Sequence, residues 1–353
     1  MRILAVGLAI LMPLLLVEVA VRVRQYFRYG TTRPEIAVLH YDPTSGLSVP
    51  LPGQMSKNIW INSLGFRSPE LVNPKPKGTI RLAFIGASTT FCAEVSSNDA
   101  TWPHLVWKAA QEHWPGVRFD YLNAAVAGFG TLQSITNLES RVKPQQPDVI
   151  VIYGEAPNDL SKDSRDAAAQ QGLIRGNVDD FGWFSRVSLT WSLVQKNLQV
   201  WQRQRNTTSA HAQHLVFEPA VLSRRFYEHQ LELVTKAKQI APIVVLPTFS
   251  QRLRRGQSPE LQLRSANTHL YYMPHMTLDG LLVAFEEYNR VIRAVAEKTG
   301  ALLVEGEDSI PADDRHFADS VHFRDAGAVV MARRVNEALF NDDTLKKLVN
   351  TQR

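Results

Sequence analysis

Cysteine is almost missing from this sequence: Cys92 is the only one in 353 residues. A lone thiol excludes an internal disulfide framework and any zinc site built on cysteines, and it fixes no compartment. Charge of one sign is also scarce. Lys and Arg number 39 against 34 Asp and Glu, which leaves a formal +5. The basic residues are scattered, and that excludes a nucleic-acid footprint. Their densest patch, residues 252–255 (RLRR), reads as a solvated face or a contact for an anionic partner. There is no internal repeat and no low-complexity tract. What remains is ordinary globular material, 44% apolar and 21% charged. That composition excludes wholesale disorder and suffices for a sizeable core. At about 150 residues per domain, the length allows two domains or one large α/β domain with additions.

The one long apolar run lies at the start. Residues 3–17 are apolar or small throughout apart from Gly7 and Pro13, and extension to Val21 adds one charge, Glu18. At about 1.5 Å per residue such a helix is roughly 28 Å long, close to a hydrocarbon core. The expectation is an N-terminal transmembrane anchor over residues 1–28. A cleaved signal peptide is the weaker alternative, because Val17-Glu18-Val19-Ala20 is a poor cleavage site. Arg22, Arg24 and Arg28 follow the run, whereas Arg2 and the α-amine precede it. By charge alone the body would then stay in the cytoplasm.

Residues 29–78 are rich in Pro, Gly, Asn and Ser and read as an extended lead-in with turns. The pattern changes after residue 78. Five short apolar runs, at 80–85, 117–122, 148–153, 242–246 and 302–304, read as strands. Helical segments at 102–113, 131–142, 220–239, 278–298 and 324–339 alternate with them. This alternation predicts an α/β body over 79–345: a three-layer α/β/α domain around a central five-stranded parallel sheet. Residues 160–220 are too long for a normal crossover. They carry Phe181, Trp183, Phe184, Trp191 and Trp201, read either as helix-packing aromatics or as a cap that shapes a pocket or rests on a membrane.

Ligands of open parallel sheets bind at the carboxyl ends of the strands. After the first strand comes Gly86-Ala87-Ser88-Thr89-Thr90, where a serine at a helix N-terminus could act as a nucleophile or merely cap the helix. After the second, Gly128 offers a backbone amide that a ligand can approach closely. Beyond the third, Gly154-Glu155-Ala156-Pro157-Asn158-Asp159 offers a side-chain amide in Asn158, with Asp159 able to cap a helix or brace the loop. Past the fifth strand, Asp319-Ser320-Val321-His322 places a carboxylate three residues before an imidazole. That spacing lets Asp fix the tautomer while the other nitrogen takes a proton. The neighbouring Asp313 and His316 make a plain polar turn the competing reading. Each block is weak alone; four in this order are much stronger together.

These blocks resemble the SGNH (GDSL-type) hydrolases, in particular a membrane-anchored bacterial subgroup, over residues 80–339. The resemblance implies a sheet of flavodoxin-like order and a serine esterase, with Ser88 as nucleophile, His322 as general base and Asp319 as the orienting acid. It implies an oxyanion hole from the amides of Ser88 and Gly128 and the side chain of Asn158, and neither metal nor cofactor. The sequence departs from the family at Ala87, where aspartate is usual, and at Ala156, where glycine is usual. Asn62-Ser63-Leu64-Gly65-Phe66-Arg67 resembles a lead-in segment of the same subgroup. Its expected role is structural, with Arg67 paired to an acid and Phe66 packed under the sheet. The implied partner is an ester substrate, an acylated polysaccharide of the cell envelope by preference. An O-acetyltransferase with the same triad, a lipid esterase and a catalytically silent glycan-binding module stand as alternatives. The family also implies an extracytoplasmic body, against the charge rule. Oligomeric state is not legible. Cys92, four residues after Ser88, is expected on the same helical face.

Overall fold

The computed structural model describes residues 2–29, 32, 39–56, 58–174, 187–207 and 213–352. A hairpin of β1 (Leu39–Asp42) and β2 (Leu47–Pro50) precedes the body. Five strands then form one parallel sheet: β3 (Thr79–Gly86), β4 (Arg118–Asn123), β5 (Val149–Tyr153), β6 (Ile243–Pro247) and β7 (Leu302–Val304). Their order across the sheet is β4-β3-β5-β6-β7. The chain adds β4 on one side of β3, then crosses back and builds outward from the other side. That reversal leaves a crevice at the carboxyl end of β3, the switch point of the sheet.

The strands are apolar because both faces are covered. Every residue of β3, β5 and β6 is buried, as expected of a parallel sheet between helices. On one face α3 (Trp102–His113) packs against the late helix Asp325–Asn341. On the other, helices Thr131–Asn137, Ala156–Gln170 and Leu278–Thr299 pack against Arg224–Ile240. For the elements used below we name α1 (Arg2–Tyr29), α2 (Ser88–Phe91), α4 (Thr131–Asn137), α5 (Ala156–Gln170), α6 (Leu189–Thr207), α7 (Arg224–Ile240) and α8 (Asn267–Tyr272). The expected helix over 131–142 regularises only to Asn137. From Leu138 to Val142 it widens to a π-turn, while Asn137 is drawn inward to donate to the Ala124 carbonyl at 2.8 Å.

Three expectations need correction. Among the described residues, no helix is long and apolar enough to cross a membrane. The membrane-anchored localisation and the membrane partner expected from residues 1–28 are therefore not supported. Residues 1–11, the first part of the apolar run, have side chains outside the described set. In the described part, Glu18 is a polar joint. It accepts from the Leu189 and Thr190 amides at 2.9 Å each and from Ser188 Oγ at 2.9 Å, and it pairs with Arg22 at 2.7 Å. Burial opposes its charge, but these donors at the start of α6 outweigh it and hold the carboxyl at about 2.

Second, the patch at 252–255 is not one solvated face: Arg252 is buried while Arg255 stays half exposed, and each arginine pairs with a carboxylate of the chain. Arg252 meets Asp314 at 2.8 Å, Arg254 meets Asp308 at 2.8 Å and Arg255 meets Glu286 at 2.7 Å. Third, Arg67 has no acidic partner among its described hydrogen bonds; its guanidinium is buried against neutral oxygens. Phe66 does join the main core.

Candidate active site

The site is assembled where β3 and β5 end. Gly86 has φ +154°, and a Cβ there would lie 1.8 Å from the Tyr153 carbonyl oxygen. Gly154 has φ +99°, and its Cβ would lie 2.0 Å from Thr89 Oγ1. Glycine at both positions lets the strand ends close on each other. The chain then enters α2, a single turn whose first residue is Ser88. Ala87 holds the capping position without a side-chain bond, so the serine hydroxyl is not spent on capping.

A helix this short has no stability of its own, and tertiary donors hold it. Trp102 Nε1 donates to the Thr89 carbonyl at 3.1 Å, Asn123 Nδ2 to the Thr90 carbonyl at 2.9 Å, and Thr90 Oγ1 to the Tyr153 carbonyl at 2.7 Å. Cys92 closes the turn in the left-handed region at φ 61°. Its side chain is buried in the core. Burial pushes its thiol up to about 12, so it is not a second nucleophile.

The hydroxyl of Ser88 meets His322 Nε2 at 2.8 Å. Asp319 Oδ2 lies 2.7 Å from His322 Nδ1, while its other oxygen accepts from the Val321 and His322 amides at 2.9 Å each. Burial works against a charged Asp319, yet the His322 charge, the ring hydrogen bond and the two amides hold it well below the usual carboxylate range. The loop is closed by Ala318 N–H donating to the His322 carbonyl at 2.8 Å. Asp313 and His316 repeat the same local arrangement, with Nδ1 2.7 Å from the carboxylate. Only the second pair is brought to a serine, and the three-residue spacing alone could not distinguish them.

The remaining residues surround the same space. Gly128 adopts φ +88°, where an L side chain is strained. Among the described residues, the N–H groups of Ser88 and Gly128 donate to no protein acceptor. Asn158 lies in the first turn of α5, and its Nδ2 donates to the Phe129 carbonyl at 2.8 Å. An amide nitrogen has two hydrogens, so one fixes the side chain and the other is left over. Pro157 falls in the first turn, where a missing N–H costs nothing. Asp159 accepts from Thr131 N–H at 2.9 Å and Thr131 Oγ1 at 2.6 Å, tying α5 to the start of α4. Behind it, fully buried Glu155 accepts from Ser134 Oγ at 3.0 Å, and desolvation pushes its carboxyl up to about 8.

Ser88, Gly128, Asn158, Asp319 and His322 all line one cavity of about 850 Å³. Its further walls were not legible in the sequence: Lys162 and Arg165 from α5, Arg225 and His229 from α7, and Tyr271 and Tyr272 from α8. Those residues sit on ordinary amphipathic helices with no motif around them. Of the long insert, Asn197 lines the cavity, Trp191 and Trp201 are about half exposed at 50% and 52%, and Phe181, Trp183 and Phe184 lie outside the described residues. Among the described residues, no three His, Cys, Asp or Glu side chains are grouped to hold a metal ion.

No protein-family model matches the chain, and no curated protein matches it. Solved structures are similar to it at low identity. One is an acetylxylan esterase from Geobacillus stearothermophilus, 16% identical, covering 74% of this chain and 96% of that one at a TM-score of 0.44. Another is an alpha/beta hydrolase enzyme from the metagenome of Lake Arreo, Spain, 16% identical, covering 73% of this chain and 94% of that one at a TM-score of 0.45.

Proposed function

We propose that this protein is a serine ester hydrolase of the SGNH type that works through an acyl-enzyme. One observation carries the reading: the continuous relay from Asp319 through both nitrogens of His322 to Ser88 Oγ, with contacts of 2.7 and 2.8 Å. Asp319 keeps the Nδ1 proton in place, so Nε2 is the accepting nitrogen. Ser88 Oγ attacks the ester carbonyl as His322 takes its proton. The oxyanion is received by the amides of Ser88 and Gly128 and the second N–H of Asn158. The protonated His322 then gives its proton to the departing alcohol, and water repeats the sequence on the acyl-enzyme. The substrate class is a small-acyl ester, such as an O-acetyl group, on a polysaccharide. The cavity of about 850 Å³ supports this, because it exceeds the needs of an acetyl group and sets the polar side chains of Lys162, Arg165, Asn197 and Arg225 beside the rings of Tyr271 and Tyr272.

Hydrolysis of p-nitrophenyl acetate tests the reading. Wild type should turn over and label with a fluorophosphonate probe. Ser88→Ala should do neither while retaining its circular dichroism spectrum. Equal rates, or equal labelling, would remove Ser88 as nucleophile and leave a binding module.

A further inference from the structure

Arg67 is 1% exposed and lies far along the chain from Ser88, yet it ends on the nucleophile's own turn. Its Nη1 donates to the carbonyls of Phe91 at 2.8 Å and Cys92 at 2.6 Å, the last residue of α2 and the residue that closes it. Its Nε donates to Asn98 Oδ1 at 2.9 Å and its Nη2 to the Asn58 carbonyl at 2.8 Å. The guanidinium also lies over the Phe91 ring, 5.2 Å from its centroid. A buried cation without a carboxylate is costly unless its hydrogens are taken up. Here four of the five N–H groups have oxygen acceptors, and the positive charge faces the carboxyl end of a helical turn, where it is favoured. Desolvation lowers its pKa only to about 10, so it stays charged at neutral pH.

The loop before it is built to deliver this side chain. Asn62 Oδ1 accepts from the Leu64 and Phe66 amides at 3.0 and 2.9 Å, and Gly65 turns at φ +78°. Phe66 then anchors in the core. With Trp102 and Asn123 on the Thr89 and Thr90 carbonyls, and the Cys92 amide on that of Ser88 at 2.8 Å, every carbonyl of α2 has a donor. Arg67 supplies the only charged one among those described.

We propose that Arg67 is a positioning residue for the nucleophile: its planar fork pins the end of α2 and thereby holds Ser88 Oγ within reach of His322. The proposal rests on the serine-hydrolase reading for its kinetic consequence, but not for its structural one. Lysine cannot reproduce the fork and readily loses its charge when buried.

The test is Arg67→Lys and, as a milder change that removes the acceptor of Nε, Asn98→Ala. Folding is checked by near-ultraviolet circular dichroism and melting. For Arg67→Lys, kcat on p-nitrophenyl acetate should fall about 10²-fold with KM within about threefold, as misplacement of a reacting group predicts. Fluorophosphonate labelling should slow in parallel, and the pH profile should keep its shape. Asn98→Ala should lose about five- to tenfold in kcat and decides the matter if Arg67→Lys does not fold. Amide exchange in the peptide over residues 86–95 should accelerate in either variant while the sheet peptides stay protected. Folded variants with kcat within twofold of wild type, or with the loss confined to KM, overturn the proposal. If wild type shows no esterase activity, the functional reading fails on its own, and unchanged exchange over residues 86–95 then refutes the Arg67 role.

Discussion

At the scale of single residues, the proposed mechanism separates groups that would do chemistry from groups that would only permit it. His322→Ala should abolish turnover without unfolding, because the ring is partly exposed and no core depends on it. Asp319→Asn should leave a residual rate about 10⁴-fold down, since an amide favours the wrong tautomer. Steady-state kinetics on a chromogenic acetate ester check both. Asn158→Ala should cost about 10²–10³ in kcat by removing one oxyanion donor. It also leaves the Phe129 carbonyl without its partner. Glu155 gives a pH signature of another kind. Its folded pKa of about 8 lies above the ordinary carboxyl value of 4.5. The native state therefore binds the extra proton between those values, and the associated stability is full below pH 4.5 and lost as pH rises through 8. Melting temperatures of wild type should accordingly decline over that window relative to Glu155→Gln, which has no proton to lose. Parallel curves for the two proteins would contradict the assignment.

At the scale of elements, the ends of β3 and β5 tolerate little change. Gly86→Ala would drive a methyl group to 1.8 Å from the Tyr153 carbonyl, a backbone atom that cannot step aside. We expect a loss of about 3 kcal/mol or more, seen as failure to fold or a large drop in denaturant midpoint. The strands themselves were legible because burial on both faces leaves β-branched and apolar runs such as residues 80–85 and 148–153. Observed boundaries at Thr79–Gly86 and Val149–Tyr153 differ from the expected ones by a residue at most. Helix α1 was legible as a helix and misread in its setting. Glu18 looks like a tolerated charge in an apolar run until Ser188, Leu189 and Thr190 arrive from a distant part of the chain.

At the scale of the whole molecule, the proposed site and a buried ion pair sit on opposite edges of the sheet. Arg81, near the start of β3, is fully buried and pairs through Nε and Nη2 with both oxygens of Asp120 at 2.8 and 2.7 Å. The two residues are register partners across β3 and β4, at the amino edge and away from Ser88. Asp120→Ala leaves a buried guanidinium short of its counter-charge and should destabilise by about 3–5 kcal/mol. Chemical denaturation measures that loss, while kcat of the folded fraction should stay near wild type. A comparable loss of kcat would show that the two edges are coupled.

The sequence alone determined the alternation of strands and helices, and with it the edge of the sheet on which chemistry could occur. Both follow from local patterning: apolar runs must be buried, and glycines mark where backbones turn. It also singled out Ser88, Gly128, Asn158, Asp319 and His322, through blocks whose order no local rule explains. Which Asp-His pair faces the serine, what Arg67 holds, where Glu18 docks and which helices wall the cavity were decided only by tertiary structure. Each depends on groups tens to hundreds of residues apart, and distance along a chain carries no record of distance in space.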